Sequence, residues 1–75
     1  MTKDEWTLIE AIGSHVPGPR HMTSVDADPE TIRLVESLIE QGLVESTGRI
    51  QQLPEPVVRV CLTGKGWVRY RERTD

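Results

Sequence analysis

The sequence predicts a small α+β fold in one domain spanning residues 1–75, with three helices, then a pair or trio of short strands, then a closing helix. Three observations carry this. Asp28-Pro29 and Gly42-Leu43 punctuate a complete helix that passes directly into a strand. Val57 to Thr63 alternates apolar and polar positions in the way of a half-buried strand. Thr2 with Glu5, and later Thr63, mark the starts of two further helices.

In chain order, the first helix is predicted over residues 3–15. Thr2 and Glu5 form a capping-box pattern, Leu8, Ile9 and Ile12 make a narrow apolar stripe, and Pro17 stops the helix. A short second helix is predicted between Pro19 and Val25, burying Met22 and Val25. The third helix runs from Pro29 to Gln41. Asp28 can accept from backbone N–H groups of its first turn, and Pro29 fits the first helical position, where a missing N–H is harmless. Ile32, Val35, Leu38 and Ile39 share its apolar face, with Leu34 at the boundary. Gly42 suits the left-handed residue that ends a helix. Strands follow at Leu43 to Thr47 and at Val57 to Thr63, the second with Val58, Val60 and Leu62 on one face and Arg59 and Cys61 on the other. The last helix begins after Thr63 and runs from Gly64 to about Glu72, with Trp67, Val68 and Tyr70 on its apolar side. Gly64 and Gly66 each weaken its first turn by up to about 1 kcal/mol relative to alanine.

Composition narrows the function classes. The net charge is −3, unevenly spread: residues 1–45 carry three basic groups against nine acidic ones, and residues 46–75 carry six against three. No apolar run reaches the roughly 18 residues needed to cross a bilayer, so no membrane role is expected. The start, Met1-Thr2-Lys3-Asp4-Glu5, lacks the charged-then-apolar layout of a secretory signal, and the single Cys61 forms no internal disulfide. A cytoplasmic setting is the expectation. A core this small is thin, and pairing of two copies is a common remedy.

Leu38-Ile39-Glu40-Gln41-Gly42-Leu43-Val44-Glu45 resembles the recognition-helix exit of MarR-like and PadR-like bacterial transcriptional regulators. Val60-Cys61-Leu62-Thr63-Gly64-Lys65-Gly66-Trp67 resembles the leucine–threonine–x–x–glycine start of their post-wing helix. The similarity covers roughly residues 4–72 and implies a winged helix-turn-helix: a three-helix core, a two- or three-stranded β wing and a C-terminal helix. It further implies that residues 29–41 lie in the major groove of double-stranded DNA, presenting Glu30, Arg33, Leu34 and Ser37. The wing, residues 47–56, would reach the backbone with Thr47, Arg49, Gln51 and Gln52. The sequence departs from the family in its helix chemistry: one arginine stands beside Glu30, Glu36 and Glu40, and each carboxylate subtracts from the phosphate attraction that supplies non-specific affinity.

Each candidate residue has two readings. Arg33 suits a bidentate contact to guanine, or pairs with Glu30, Glu36 or Ser37 on its own helix. Arg49 suits phosphate or the minor groove, with Gln51 beside it on the wing, or is a loop charge. Arg49, Arg59, Lys65, Arg69, Arg71 and Arg73 form the only candidate basic footprint in the chain, or are simply solvated surface. The last four also complement the dipole of the last helix. Trp67 and Tyr70 suit a homodimer or partner interface, or cap the domain's own core. His15, His21 and Cys61 lack the paired spacing of a zinc site, so neither metal nor cofactor is expected. Gly64-Lys65-Gly66 is too short for a phosphate loop, Ser14 and His15 diverge on a helix, and no paired carboxylates face a cleft. An enzyme is not expected. Two readings stay open: a dimeric DNA-binding regulator, and a winged-helix protein-contact module that does not bind DNA.

Overall fold

Thr2 opens the first helix as its spacing to Glu5 predicts. In the computed structural model, which describes residues 1–52 and 54–74, α1 spans Lys3–Ser14. Leu53, in the predicted turn, and Asp75 lie outside the described residues. The Thr2 hydroxyl accepts from the Glu5 N–H (3.2 Å), and Glu5 Oε1 accepts from the Thr2 N–H (2.9 Å), a complete capping box. After α1 come β1 (Thr23–Asp26), α2 (Pro29–Glu40), β2 (Val44–Gln51), β3 (Val57–Leu62) and α3 (Gly64–Thr74). The strands form one antiparallel sheet in the order β1-β3-β2.

The predicted short helix between Pro19 and Val25 does not form, and the expected three-helix core before the sheet reduces to α1 and α2. Thr23-Ser24-Val25-Asp26 instead lies along the free edge of β3, with Thr23 opposite Val60 and Val25 opposite Val58. Two pressures explain this. The segment has β-branched Thr23 and Val25 at alternating positions, and a strand partner satisfies its backbone groups along the whole of β1. The preceding chain is also fixed at the end of β3: the Arg20 N–H donates to Leu62 O (2.8 Å), with Arg20 itself at φ +65°.

The exit of α2 follows its sequence closely. Gln41 caps the helix, Gly42 takes φ +77°, and the N–H groups of Gly42 and Leu43 donate to the carbonyls of Ile39 and Leu38. This Schellman arrangement satisfies the last carbonyls and turns the chain into β2. Gly42→Ala is expected to lower stability by about 1 kcal/mol through the left-handed φ alone, since no atom lies within 4 Å of the added methyl. Urea denaturation of the two proteins side by side measures it.

β2 is longer than predicted because it resumes after an irregularity. Ser46 faces Val60 and Ile50 faces Val58, so the three residues between them bulge out opposite Arg59, with Gly48 at φ +75°. Ser46 pins the bulge: its hydroxyl donates to Arg59 O (3.0 Å) and accepts from the Gly48 N–H (3.1 Å). Two extra residues preserve the alternation, so Ile50 returns to the sheet face that carries Val58.

The core lies between that face and the helices: Leu8, Ile9 and Ile12 from α1, Val35 and Leu38 from α2, and Leu43, Val44, Val58, Val60 and Leu62 from the sheet. Two positions assigned to apolar faces point elsewhere. Ile39 is 42% exposed and Val68 is 54% exposed. Val35 and Leu38 occupy the centre of the buried stripe of α2, and Ile39 sits beyond it on the side toward β2. In α3, Trp67 and Tyr70 turn inward, which rotates Val68, next to Trp67, toward solvent. Among the described residues no helix is long and apolar enough to cross a membrane.

Candidate functional site

The surface to test is α2 together with β2 and the bulge, because the resemblance assigns both DNA-facing elements there. At 100° per residue α2 divides into three sides. Leu34, Ser37 and Gln41 turn toward α1, Val35 and Leu38 enter the core, and Arg33, Glu36 and Glu40 face outward. Ile32 and Ile39 lie between the outward side and the core, toward the bulge.

This division removes three residues from the predicted groove-facing set, because Glu30, one turn before Leu34, also stands on the α1 side, beside Asp4 and Thr7. Leu34 packs against the core, and Ser37 is held by α1: its hydroxyl donates to Glu5 Oε2 at 2.9 Å. Gln41 Nε2 donates to the same oxygen at 2.6 Å. Glu5 is therefore a tie between two helices as well as a cap, and it is only 6% exposed. The Thr2 N–H, then the Ser37 hydroxyl and the Gln41 amide, pull its carboxyl from an ordinary 4.5 down to about 2, against the opposing effect of burial. Sequence reasoning found the cap and missed the tie. The available signal was the pair Ser37 and Gln41, four residues apart on one helix side.

The predicted basic residues fall into separate groups. Arg33 is exposed on the outward side of α2, where Glu36 and Glu40 are its neighbours one and two turns on. Arg49 and Gln51 are exposed on β2, Arg49 in the bulge itself. Arg59 is exposed on the opposite face of the sheet, across from Ser24, because its neighbours Val58 and Val60 point into the core. Lys65 Nζ donates to Gln41 O (3.2 Å), where it neutralises the negative end of α2. Arg69, one turn further along α3, lines a hollow of about 420 Å³ with Lys65, Gln41, Leu43 and Met1. Arg73 is spent on α1: its Nε lies 2.8 Å from Glu10 Oε1, and its guanidinium stacks 4.8 Å from the Trp6 ring centroid.

Trp67 and Tyr70 pack against the core and against each other, with ring centroids 5.3 Å apart. The Tyr70 ring covers Gly13 of α1 so closely that a methyl there would sit 2.7 Å from it. Both rings, partly exposed, thus help close the domain's own core.

Cys61 is buried on β3. Burial, and next the Glu45 carboxylate, push its thiol up, the opposite of what an activated nucleophile needs. Asp28 caps α2 as predicted. The Thr31 hydroxyl and then the Thr31 N–H hold its carboxyl below the usual carboxylate range. Among the described residues no group of three or more His, Cys, Asp or Glu side chains is placed to hold a metal ion.

The other feature sequence reasoning missed lies between α2 and the bulge. A groove of about 250 Å³ opens there, walled by Ile32, Val35 and Ile39 on one side and by Gly48, Ile50 and Val58 on the other. Ile39 and Ile50 are each 42% exposed, and Glu36 stands on its rim. No family model, curated protein or solved structure matches the chain.

Proposed function

We propose that this chain is a winged-helix-like protein-contact module that engages a partner through α2 and the adjoining β2 bulge, and that it does not bind duplex DNA. The observation that carries this is the chemistry of one surface: an apolar groove with two half-exposed isoleucines, flanked on α2 by Glu36 and Glu40. Exposed apolar surface framed by polar residues is what protein interfaces use. The α2 exit at Gly42 and the β2–β3 pair retain the winged-helix likeness, while β1 occupies the segment where the scaffold helix of a helix-turn-helix would lie.

DNA binding is the weaker reading because its electrostatics are missing. Duplex affinity rests on several cations meeting phosphates together. Here Arg33 is outnumbered by carboxylates on its own helix face, Arg59 points from the other side of the sheet, and Arg73 is occupied by Glu10 and Trp6. A second copy would double the cations and the carboxylates alike.

Titration of the protein with fluorescent mixed-sequence duplex at ~50 mM and ~200 mM salt tests this directly. No binding is expected at either concentration. Saturable binding that collapses between them overturns the proposal in favour of a DNA-binding regulator. A photo-crosslinker at Ile39 in host cells is expected to trap a discrete protein adduct that the same group at exposed Lys3 does not.

A further inference from the structure

The chemistry of the partner can be taken further, resting on the protein-contact reading above. We infer that the α2–bulge groove receives an aliphatic side chain from a basic amphipathic segment of another protein, with lysine or arginine flanking the inserted residue. The groove is about 250 Å³, below the roughly 300–1,000 Å³ of small-molecule sites, but suited to anchor side chains. Its walls are mostly aliphatic: Ile32, Val35, Ile39, Ile50 and Val58, with no ring among the lining residues, and the Ser46 hydroxyl that also lines it is already engaged by Arg59 O and the Gly48 N–H. Gly48, at φ +75°, contributes no side chain, which leaves the bulge side of the groove open.

The sign of the partner follows from α2. Around the helix, Glu36 is the charged residue next to Ile32 and Ile39, Glu40 lies beyond it, and Arg33 stands further from the groove. A chain approaching the isoleucines therefore meets carboxylates first. Arg49, in the bulge between Gly48 and Ile50, adjoins the opposite wall. Flanking cations on the partner are steered and fixed in register by Glu36 and Glu40, and an acidic partner is repelled.

A second copy is a weaker occupant. Two identical α2 faces would oppose two carboxylates per copy with one arginine each. A copy offering its basic α3, with exposed Val68, would make a head-to-tail contact that has no reason to close into a defined assembly.

The test is a methyl NMR titration of the full chain with two synthetic helical peptides. One presents leucine with lysine at helical spacing, and the other replaces every lysine by glutamate. The lysine peptide is expected to shift the Ile32, Ile39 and Ile50 methyls saturably, while the glutamate peptide leaves them in place. In the Glu36→Lys/Glu40→Lys variant, the lysine peptide is expected to bind about tenfold more weakly and the glutamate peptide to gain binding. Equal binding of both peptides, shifts elsewhere on the protein, or no shifts with either overturns the inference. So do methyl shifts that grow with protein concentration alone, which would identify a second copy as the occupant. Duplex DNA added to the same sample separates the two levels. If DNA shifts α2 and the bulge, the protein-contact reading fails. If DNA and both peptides are silent, only the basic-segment inference fails.

Discussion

Gly66→Ala is expected to lower stability by at least 3 kcal/mol, although the substitution improves intrinsic helix propensity by about 1 kcal/mol. A Cβ on Gly66 would overlap the Leu43 carbonyl oxygen and sit 3.0 Å from the Leu43 carbonyl carbon. The obstacle is backbone, and it cannot swing aside as a side chain would. That carbonyl is also engaged, accepting from the Thr63 N–H (3.1 Å). Thr63 in turn donates its hydroxyl to Gly42 O (2.8 Å) and accepts from the Gly66 N–H (3.0 Å). The start of α3 is thus stacked directly on the start of β2. Relief requires lifting α3, which would withdraw Trp67 and Tyr70 from the core. In a domain of this size, whose total stability is about 4–11 kcal/mol, such a loss lowers Tm by roughly 15 °C or more. Gly64→Ala is the internal control. Nothing lies within 4 Å of the methyl it adds, so it is expected to be neutral or slightly stabilising. Thermal unfolding followed by far-UV circular dichroism distinguishes the two, and a Gly66→Ala protein as stable as the parent would refute the close-approach argument.

Replacing Glu5 is the second large effect, and it carries a pH signature. Glu5→Ala removes the reciprocal half of the α1 cap and leaves the Ser37 hydroxyl and the Gln41 amide without their shared acceptor. A loss on the order of 3 kcal/mol is expected. Glu5→Gln is nearly isosteric, yet it fails for a definable reason. One carboxylate oxygen accepts from the Thr2 N–H and the other from Ser37 and Gln41, so a side-chain amide keeps the Thr2 contact only by turning its NH₂ toward Ser37 and Gln41, which must reorient to accept, and the charge that strengthened all three bonds is gone. It is expected to lose about 2 kcal/mol.

The sign of the pH dependence follows from the lowered carboxyl. Folded Glu5 titrates at about 2 against an ordinary 4.5, so the unfolded chain takes up its proton first as pH falls. The stabilisation is present in full above about pH 5 and drains away between about 4.5 and 2. Asp28, also lowered, acts in the same direction. Urea denaturation at several pH values is expected to show the parent losing stability across that window. The Glu5→Gln profile should be flatter, converging on the parent near pH 2. A variant as steep as the parent would show that the tie between α1 and α2 is not the source.

What could be read from the chain and what could not divides by the reach of the interactions. Thr2 with Glu5, Asp28 with Pro29, Gly42 with Leu43, and Thr63 before Gly64 all act within a few residues, and each helix boundary they imply lies within two residues of the observed one. The alternation of Val58, Val60 and Leu62 likewise predicts their burial without knowledge of a partner. The segment Thr23–Asp26 is the contrary case. Its state depends on the open edge of β3, more than thirty residues away, and nothing local announces that edge. Side-chain destinations on α2 behave the same way. Periodicity separates its apolar stripe from its polar side, but Ser37 faces α1 because Glu5 is there to receive it.

The helix starts, the α2 exit and the inward face of β3 were therefore determined by the sequence itself, through hydrogen bonds and sterics between near neighbours. Only the folded chain decided that β1 is a strand, that Gly66 must be glycine, that Arg33 and Arg59 stand on different sides of the domain, and that Ile39 and Ile50 meet across a groove. These outcomes depend on backbones and side chains brought together from distant parts of the chain, where propensity and periodicity carry no information.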